Sequence, residues 1–329
     1  MPRCGTDARV SRRRVIARTV AASVIACAMV LGTLAPAAAA PGGAVTLYVT
    51  DFQDGGGVYA LSADGGALRK VMRSDGSHRP IGIEVVGATA YVTERHSDYF
   101  STGRLVSVPL SGGAPTTVAE LSTPGLVTAI GDTLYVTDSG QADGSPARIV
   151  AVPIGGGVSR TVTQENLQSP LGITSIGSTL YFVDRDSSGS GRVLSVAAGG
   201  GAPQVLATLA QPLGITALGN RLFVTDVDPI AGASRVVSLA TTGGEPQLIH
   251  QGTTPLAGIT AAGNTLYTAG HVETTVETRG NVSSLPLAGG PITTINTALK
   301  YPTDVAAVIE SPPCSGSVCL DLGDVFGGS

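Results

Sequence analysis

Hydrophobic residues recur along the chain in short runs of four to six, each bounded by Gly, Pro or an acid. No window sustains the i, i+3, i+4 spacing of an amphipathic helix over twelve residues, so the pattern predicts strands joined by turns. The runs are also alike. Leu47-Tyr48-Val49-Thr50-Asp51 recurs as Ala90-Tyr91-Val92-Thr93-Glu94, Leu134-Tyr135-Val136-Thr137-Asp138, Leu180-Tyr181-Phe182-Val183-Asp184 and Leu222-Phe223-Val224-Thr225-Asp226, with a degraded copy at Leu266-Tyr267-Thr268-Ala269-Gly270. The steps between copies are 43, 44, 46, 42 and 44 residues. A proline-led motif precedes copies two to six, as in Pro80-Ile81-Gly82-Ile83, with prolines at 124, 170, 212 and 255. An apolar run ending in paired glycines follows each copy, for example Val236-Val237-Ser238-Leu239 before Gly243-Gly244.

Each unit therefore reads as four strands: A (Pro-x-Gly-Ile), B (Leu-Tyr-Val-Thr-Asp), C (Arg-Val-Val-Ser-Leu) and D after the glycine pair. Four strands per unit of this length, repeated around an axis, predict an all-β, six-bladed β-propeller with four antiparallel strands per blade. The first unit lacks an A strand, and an unpartnered A motif, Pro302-Thr303-Asp304-Val305, ends the series. The ring is expected to close by this C-terminal strand pairing with the N-terminal strands of blade one, which removes exposed sheet edges.

The Leu-Tyr-Val-Thr-Asp strand, the Pro-x-Gly-Ile strand and the glycine turn together resemble the six-bladed propellers of the YWTD (lipoprotein-receptor-like), NHL and TolB-like superfamily. The likeness spans residues 44–309. The chain departs from the YWTD pattern in having Val, Phe or Thr at the Trp position, and Gly270 in place of the sixth acid. The resemblance implies fold more than activity, because such propellers serve as receptors, scaffolds, lactonases and lyases.

Composition sharpens this picture at the ends. Arg12, Arg13 and Arg14 precede an apolar run from Thr19 to Leu34 and a small-residue stretch Ala35–Ala40, the order of a secretory signal. Residues 1–39 are read as a signal peptide, with a twin-arginine-like Ser11–Ala17, residues 40–310 as the propeller, and residues 311–329 as a Cys-containing tail. Cleavage would change the net charge from −4 to −9 by removing six Arg and one Asp. An acidic chain argues against nucleic acid as partner. The mature chain offers no membrane span and is expected to be a secreted, extracellular or periplasmic monomer. Outside the cytoplasm, Cys314 and Cys319 are expected to form a disulfide.

Candidate chemistry is sparse among 13% charged residues. Four blades end strand B with an acid and begin strand C with Arg: Glu94 with Arg104, Asp138 with Arg148, Asp184 with Arg192, and Asp226 with Arg235. These are expected to be structural cross-hairpin ion pairs or loop caps. The ligand-binding candidates are His78, Arg79, His96, Asp98, Tyr99, Phe100, His250, His271 and Tyr301, placed in loops of one face, where a basic and aromatic patch suits a sugar or an acidic ligand. Glu84, Thr128, Thr174, Thr216, Thr260 and Ala306 are expected to ring the central channel. Glu84 and Asp304 are the acids of the A strands and the candidate metal ligands. Gluconolactonase-like propellers hold a divalent cation near the axis, so calcium is the cofactor to test, although two carboxylates make a thin shell. The leading expectation is no cofactor and no catalysis: a binding module for a protein or glycan ligand. The alternative is a metal-assisted lactonase or a His-dependent lyase at the mouth.

Overall fold

The computed structural model describes residues 43–310, apart from 54, 99–101, 141, 187, 189 and 274–277. The expected signal peptide, and the tail with Cys314 and Cys319, lie outside the described residues. Blade one contains β1 (Val45–Asp51), β2 (Gly57–Ser62) and β3 (Arg69–Arg73). Blade two contains β4 (His78–Val86), β5 (Thr89–His96), β6 (Gly103–Pro109) and β7 (Thr116–Leu121). Blade three is β8 (Pro124–Ile130), β9 (Thr133–Asp138), β10 (Arg148–Pro153) and β11 (Arg160–Thr163). Blade four is β12 (Ser169–Ile176), β13 (Thr179–Arg185), β14 (Gly191–Ala197) and β15 (Gln204–Leu209). Blade five is β16 (Pro212–Leu218), β17 (Arg221–Asp228), β18 (Ala233–Ala240) and β19 (Gln247–Gly252). Blade six is β20 (Gly258–Ala262), β21 (Thr265–Glu273), β22 (Thr278–Pro286) and β23 (Thr293–Asn296), and β24 (Pro302–Ile309) returns to blade one.

Six four-stranded antiparallel sheets result, and the first has the order β24-β1-β2-β3. The closing pair runs in register from Val45 opposite Ile309 to Thr50 opposite Asp304. The molecule is a six-bladed β-propeller closed by its last strand. Among the described residues no helix is long and apolar enough to cross a membrane.

Among the described residues the core is not central. Apolar side chains instead form six clusters, each between two neighbouring blades, such as Tyr48, Val58 and Met72 of blade one against Ile83, Val92 and Val106 of blade two. A B strand is therefore covered on both faces, which is why its motif is almost uniformly buried rather than alternating. The outer D strands carry the exposed residues. The C–D turns use glycine pairs with positive φ, as at Gly243 (+85°) and Gly244 (+122°), where a side chain would be strained.

Two motif residues join the blades at the axis. The Thr of Leu-Tyr-Val-Thr-Asp donates its hydroxyl to the A-strand carbonyl of the next blade: Thr50 to Ile81 (3.0 Å), Thr93 to Gly125 (2.5 Å), Thr137 to Leu171 (2.6 Å) and Thr225 to Ala257 (2.5 Å). The same oxygen accepts from a backbone amide of its own blade, Gly82 to Thr93 at 2.9 Å and Gly214 to Thr225 at 2.8 Å. The A-strand glycine makes room for this approach. A Cβ on Gly172 would come within 2.6 Å of the Leu213 carbonyl oxygen, and one on Gly82 within 2.7 Å of the Leu126 Cα.

Blade four carries Val183 at the Thr position, fully buried, so the site accepts a valine side chain. Thr225→Val is thus expected to cost about 1–3 kcal/mol, mainly by stranding the Ala257 carbonyl and the Gly214 amide, without steric disruption. Denaturant unfolding of the variant checks this, with an unchanged midpoint counting against the hydroxyl relay.

Candidate functional site

The ends of strands B and C build the rim of one face. In the pairing register Glu94 lies opposite Arg104, Asp138 opposite Arg148, Asp184 opposite Arg192 and Asp226 opposite Arg235. Arg104 Nε lies 2.7 Å from Glu94 Oε2, Arg148 Nη2 3.0 Å from Asp138 Oδ2, and Arg192 Nη2 2.5 Å from Asp184 Oδ2, while Arg235 pairs with Asp226. Each aspartate also accepts from amides of the incoming D–A loop: Asp138 from Thr123 (2.7 Å), Asp184 from Ser169 (2.8 Å) and Asp226 from Gln211 (2.6 Å). Asp51 does the same for Tyr301 at 2.7 Å. These acids are buried, and a carboxylate so placed requires such donors.

Blade two solves the problem differently. Burial pushes the Glu94 carboxyl up against the opposing pull of Arg104, and its Oε1 has no hydrogen-bond partner. The loop amides of Ser77 and His78 are instead capped by Asp75 Oδ1, both at 2.8 Å. Burial would raise the Asp75 carboxyl, but these bonds, His78 and Arg104 outweigh it and hold it down at about 2. In blade six the acid and Arg are both absent. With its amide oriented to satisfy the network, Asn281 donates to the Gly270 and Pro255 carbonyls at 3.1 and 3.2 Å.

The rim encloses a mouth of about 500 Å³. Two positions of the repeat line it. One is the residue after the A-strand proline or its register equivalent: Ile81, Gly125, Leu171, Leu213, Ala257 and Thr303. The other is the residue immediately after the B-strand acid, or after the Gly270 that replaces it: Phe52, Arg95, Arg185, Val227 and His271. On one side Arg79 stands over the Phe52 ring (5.5 Å), Phe52 packs on Tyr301 (5.5 Å) and Tyr301 stacks on His271 (3.4 Å). His271 is oriented by the Pro302 carbonyl, 3.2 Å from Nδ1. On the other side stand Arg95, whose Nε donates to the Pro124 carbonyl at 2.7 Å, and Arg185. Among the described residues lining the mouth there is no carboxylate.

Beneath the mouth a channel of about 100 Å³ runs along the axis, lined by Glu84, Thr128, Thr174, Thr216, Thr260 and Ala306, with Asp304 beside them. Asp304 stands where blades two, four, five and six have the A-strand glycine, and its Oδ2 accepts from the Ile83 amide of blade two at 2.9 Å. Desolvation pushes Asp304 up to about 7 despite its backbone hydrogen bonds, and Glu84 adds a repulsive charge. Desolvation likewise raises Glu84 to about 7, opposed by the Val85 amide and the Thr128 hydroxyl. A calcium shell takes six to eight oxygens and favours ionised carboxylates. Two carboxyls, one of them committed to a backbone amide, fall well short of that shell. No group of three or more His, Cys, Asp or Glu side chains with metal-binding geometry occurs among the described residues.

A comparison with solved structures returns propellers. The chain matches one in the crystal structure of a nidogen/laminin complex (TM-score 0.61, 19% identity, covering 80% of this chain and 98% of that one). It also matches TolB from Acinetobacter baumannii (TM-score 0.63, 13% identity, 80% and 66% covered) and a TolB-like protein, described as putative, from Agrobacterium tumefaciens (TM-score 0.57, 12% identity, 79% and 91% covered). The fold is shared with these propellers. No protein-family model matches the sequence, and neither does any curated protein.

The sequence-predicted binding residues of this propeller divide four ways. His271 and Tyr301 line the aromatic side of the mouth, and Arg79, outside the lining itself, stands over the Phe52 ring that belongs to it. His78 and His96 pair across β4 and β5, with rings 5.1 Å apart, but they lie outside the lining of the mouth and are tied to Asp75 (3.0 Å) and Asp98 (2.9 Å). His250 corrects the expectation of a mouth loop. It belongs to outer strand β19, paired with Val236, and its Nδ1 faces the Gly290 carbonyl of the next blade at 3.2 Å. As a residue of the outermost strand of blade five it lies on the perimeter. Tyr99 and Phe100 lie outside the described residues. The expectation did not include Phe52 and Arg185 among the binding residues. Their signal was positional: each follows the B-strand acid.

The channel pair has a pH consequence. The folded chain holds protons on Glu84 and Asp304 that an unfolded chain releases near pH 4, so their contribution to stability is lost as pH rises from about 4 through about 7. Glu84→Gln and Asp304→Asn are expected to flatten that decline, Glu84→Gln with the smaller disturbance of the backbone. Thermal unfolding between pH 4.5 and 8 measures it, and parallel curves for variant and parent count against the pair.

Proposed function

We propose that this protein is an exported binding module that takes its ligand or partner into the propeller mouth. The observation that carries the reading is the mouth itself. It is a concave cavity of ligand size with apolar walls, an aromatic ledge and a few polar groups, in a molecule whose other charged rim residues are engaged in ion pairs and loop caps. Two kinds of support stand beside it. The N-terminal sequence has the order of a secretory signal. A propeller of this fold occurs in a nidogen/laminin complex, which makes a protein partner compatible with the architecture. Loops on a rigid scaffold are the usual place for such recognition.

The reading is tested by amide NMR of the protein titrated with small carboxylates, amines and monosaccharides. Shifts are expected at Ile81, Leu126, Leu171 and Leu213, and Leu213→Trp, which fills the mouth, is expected to abolish them. Val158→Glu, at a surface position 92% exposed, serves as the control and is expected to change nothing. Shifts scattered over other surfaces, or a titration indifferent to Leu213→Trp, would reject the mouth as the site.

A further inference from the structure

Among the described residues, Arg185 is a cation that no other group answers. It follows Asp184, but that carboxylate is already held by Arg192 and by the Gln168 and Ser169 amides. Among the described residues the Arg185 side chain has no ion pair and no hydrogen bond, although it is half-buried and lines the mouth. Burial alone moves its pKa, downwards, with no neighbouring charge or hydrogen bond contributing. Arg95 adds a second positive charge to the same cavity, whose walls include Leu171, Leu213 and Leu256 and no acid. This polarity is opposite to that of the chain as a whole, with its net charge of −4.

We propose that the mouth binds a carboxylate carried on an apolar body, with the Arg185 guanidinium as its main polar contact. This rests on the mouth being the binding site. A guanidinium matches a carboxylate with two parallel hydrogen bonds, and the match strengthens where water is partly excluded. Part of the desolvation cost is already met on folding, so the site is pre-organised for an anion. The leucines then take the hydrocarbon that accompanies the charge. A free organic acid and an acidic side chain flanked by apolar residues on a partner protein present this same chemistry.

Isothermal titration of the protein separates the cases with two matched pairs: 3-phenylpropionate against 3-phenylpropionamide, and acetyl-Leu-Asp-Leu-amide against acetyl-Leu-Asn-Leu-amide. In at least one pair the acid is expected to bind tenfold or more tightly than its amide. Preference in the first pair identifies a small-molecule source, and in the second a protein source. Arg185→Gln is expected to erase the preference and Arg185→Lys to retain part of it, with melting temperatures unchanged or raised because an unpaired charge has left a desolvated site. Equal binding of acid and amide in both pairs, or a preference that survives Arg185→Gln, overturns the proposal. If neutral ligands still shift the mouth amides in that case, the mouth stands as a binding site. If nothing does, that reading falls as well.

Discussion

Closure of the ring governs the rest of the structure. Each apolar cluster sits between two blades, so no blade buries both of its faces unless it has a neighbour on each side. The pairing of β1 with β24 supplies the sixth junction, contributing Val305 to the cluster against blade six and Ala306 to the cluster against blade two. It also removes two sheet edges that would otherwise present unpaired amides and carbonyls. At the axis the same closure is written in hydrogen bonds, since Thr50 reaches forward to blade two and Thr303 donates to the same Ile81 carbonyl at 2.9 Å. A chain so closed has rigid inner strand ends, and the mouth is made of those ends.

The closed ring also sorts charge. Acids at the ends of the B strands are buried and spent on Arg partners and loop amides, so they set the shape of the rim without reaching the cavity. Acids in the channel have their carboxyls pushed up to about 7 by desolvation. The charged groups that face the opening are thus cationic, set among apolar and aromatic walls. The distribution follows from position in the strand: the residue opposite the Arg points toward the D–A loop, and the next residue, beyond it, faces the funnel.

Much of this was legible in the sequence because the repeat is a statement about burial. A run such as Leu134–Asp138 returns every 42 to 46 residues, and an orphan A motif at Pro302 has no place to go but beside β1. The acid and Arg of four hairpins were visible for the same reason, since antiparallel register follows from strand length. What the repeat hid were the residues where it varies. Phe52, Arg185, Val227 and His271 occupy one structural position with unrelated chemistry, so no motif announces them. Residue type misled in the opposite direction. The imidazole of His250 suggests a binding loop, yet the residue belongs to the outermost strand of its blade, which holds it at the perimeter.

Blade six shows how far the scaffold tolerates such variation. Loss of the acid at Gly270 and of the Arg at Asn281 leaves a gap in the rim chemistry, and a single amide reaching the Gly270 and Pro255 carbonyls spans it. The substitution frees this edge of the mouth from the bulky Arg–acid pair, and His271 and Tyr301 stack there. Blade four keeps its pair and adds Arg185 beyond it. One half of the funnel is therefore aromatic and the other cationic, on a backbone that repeats faithfully. A propeller separates the two demands in this way: the register-bound positions keep the ring closed, and the position one step past them is left to recognise whatever enters.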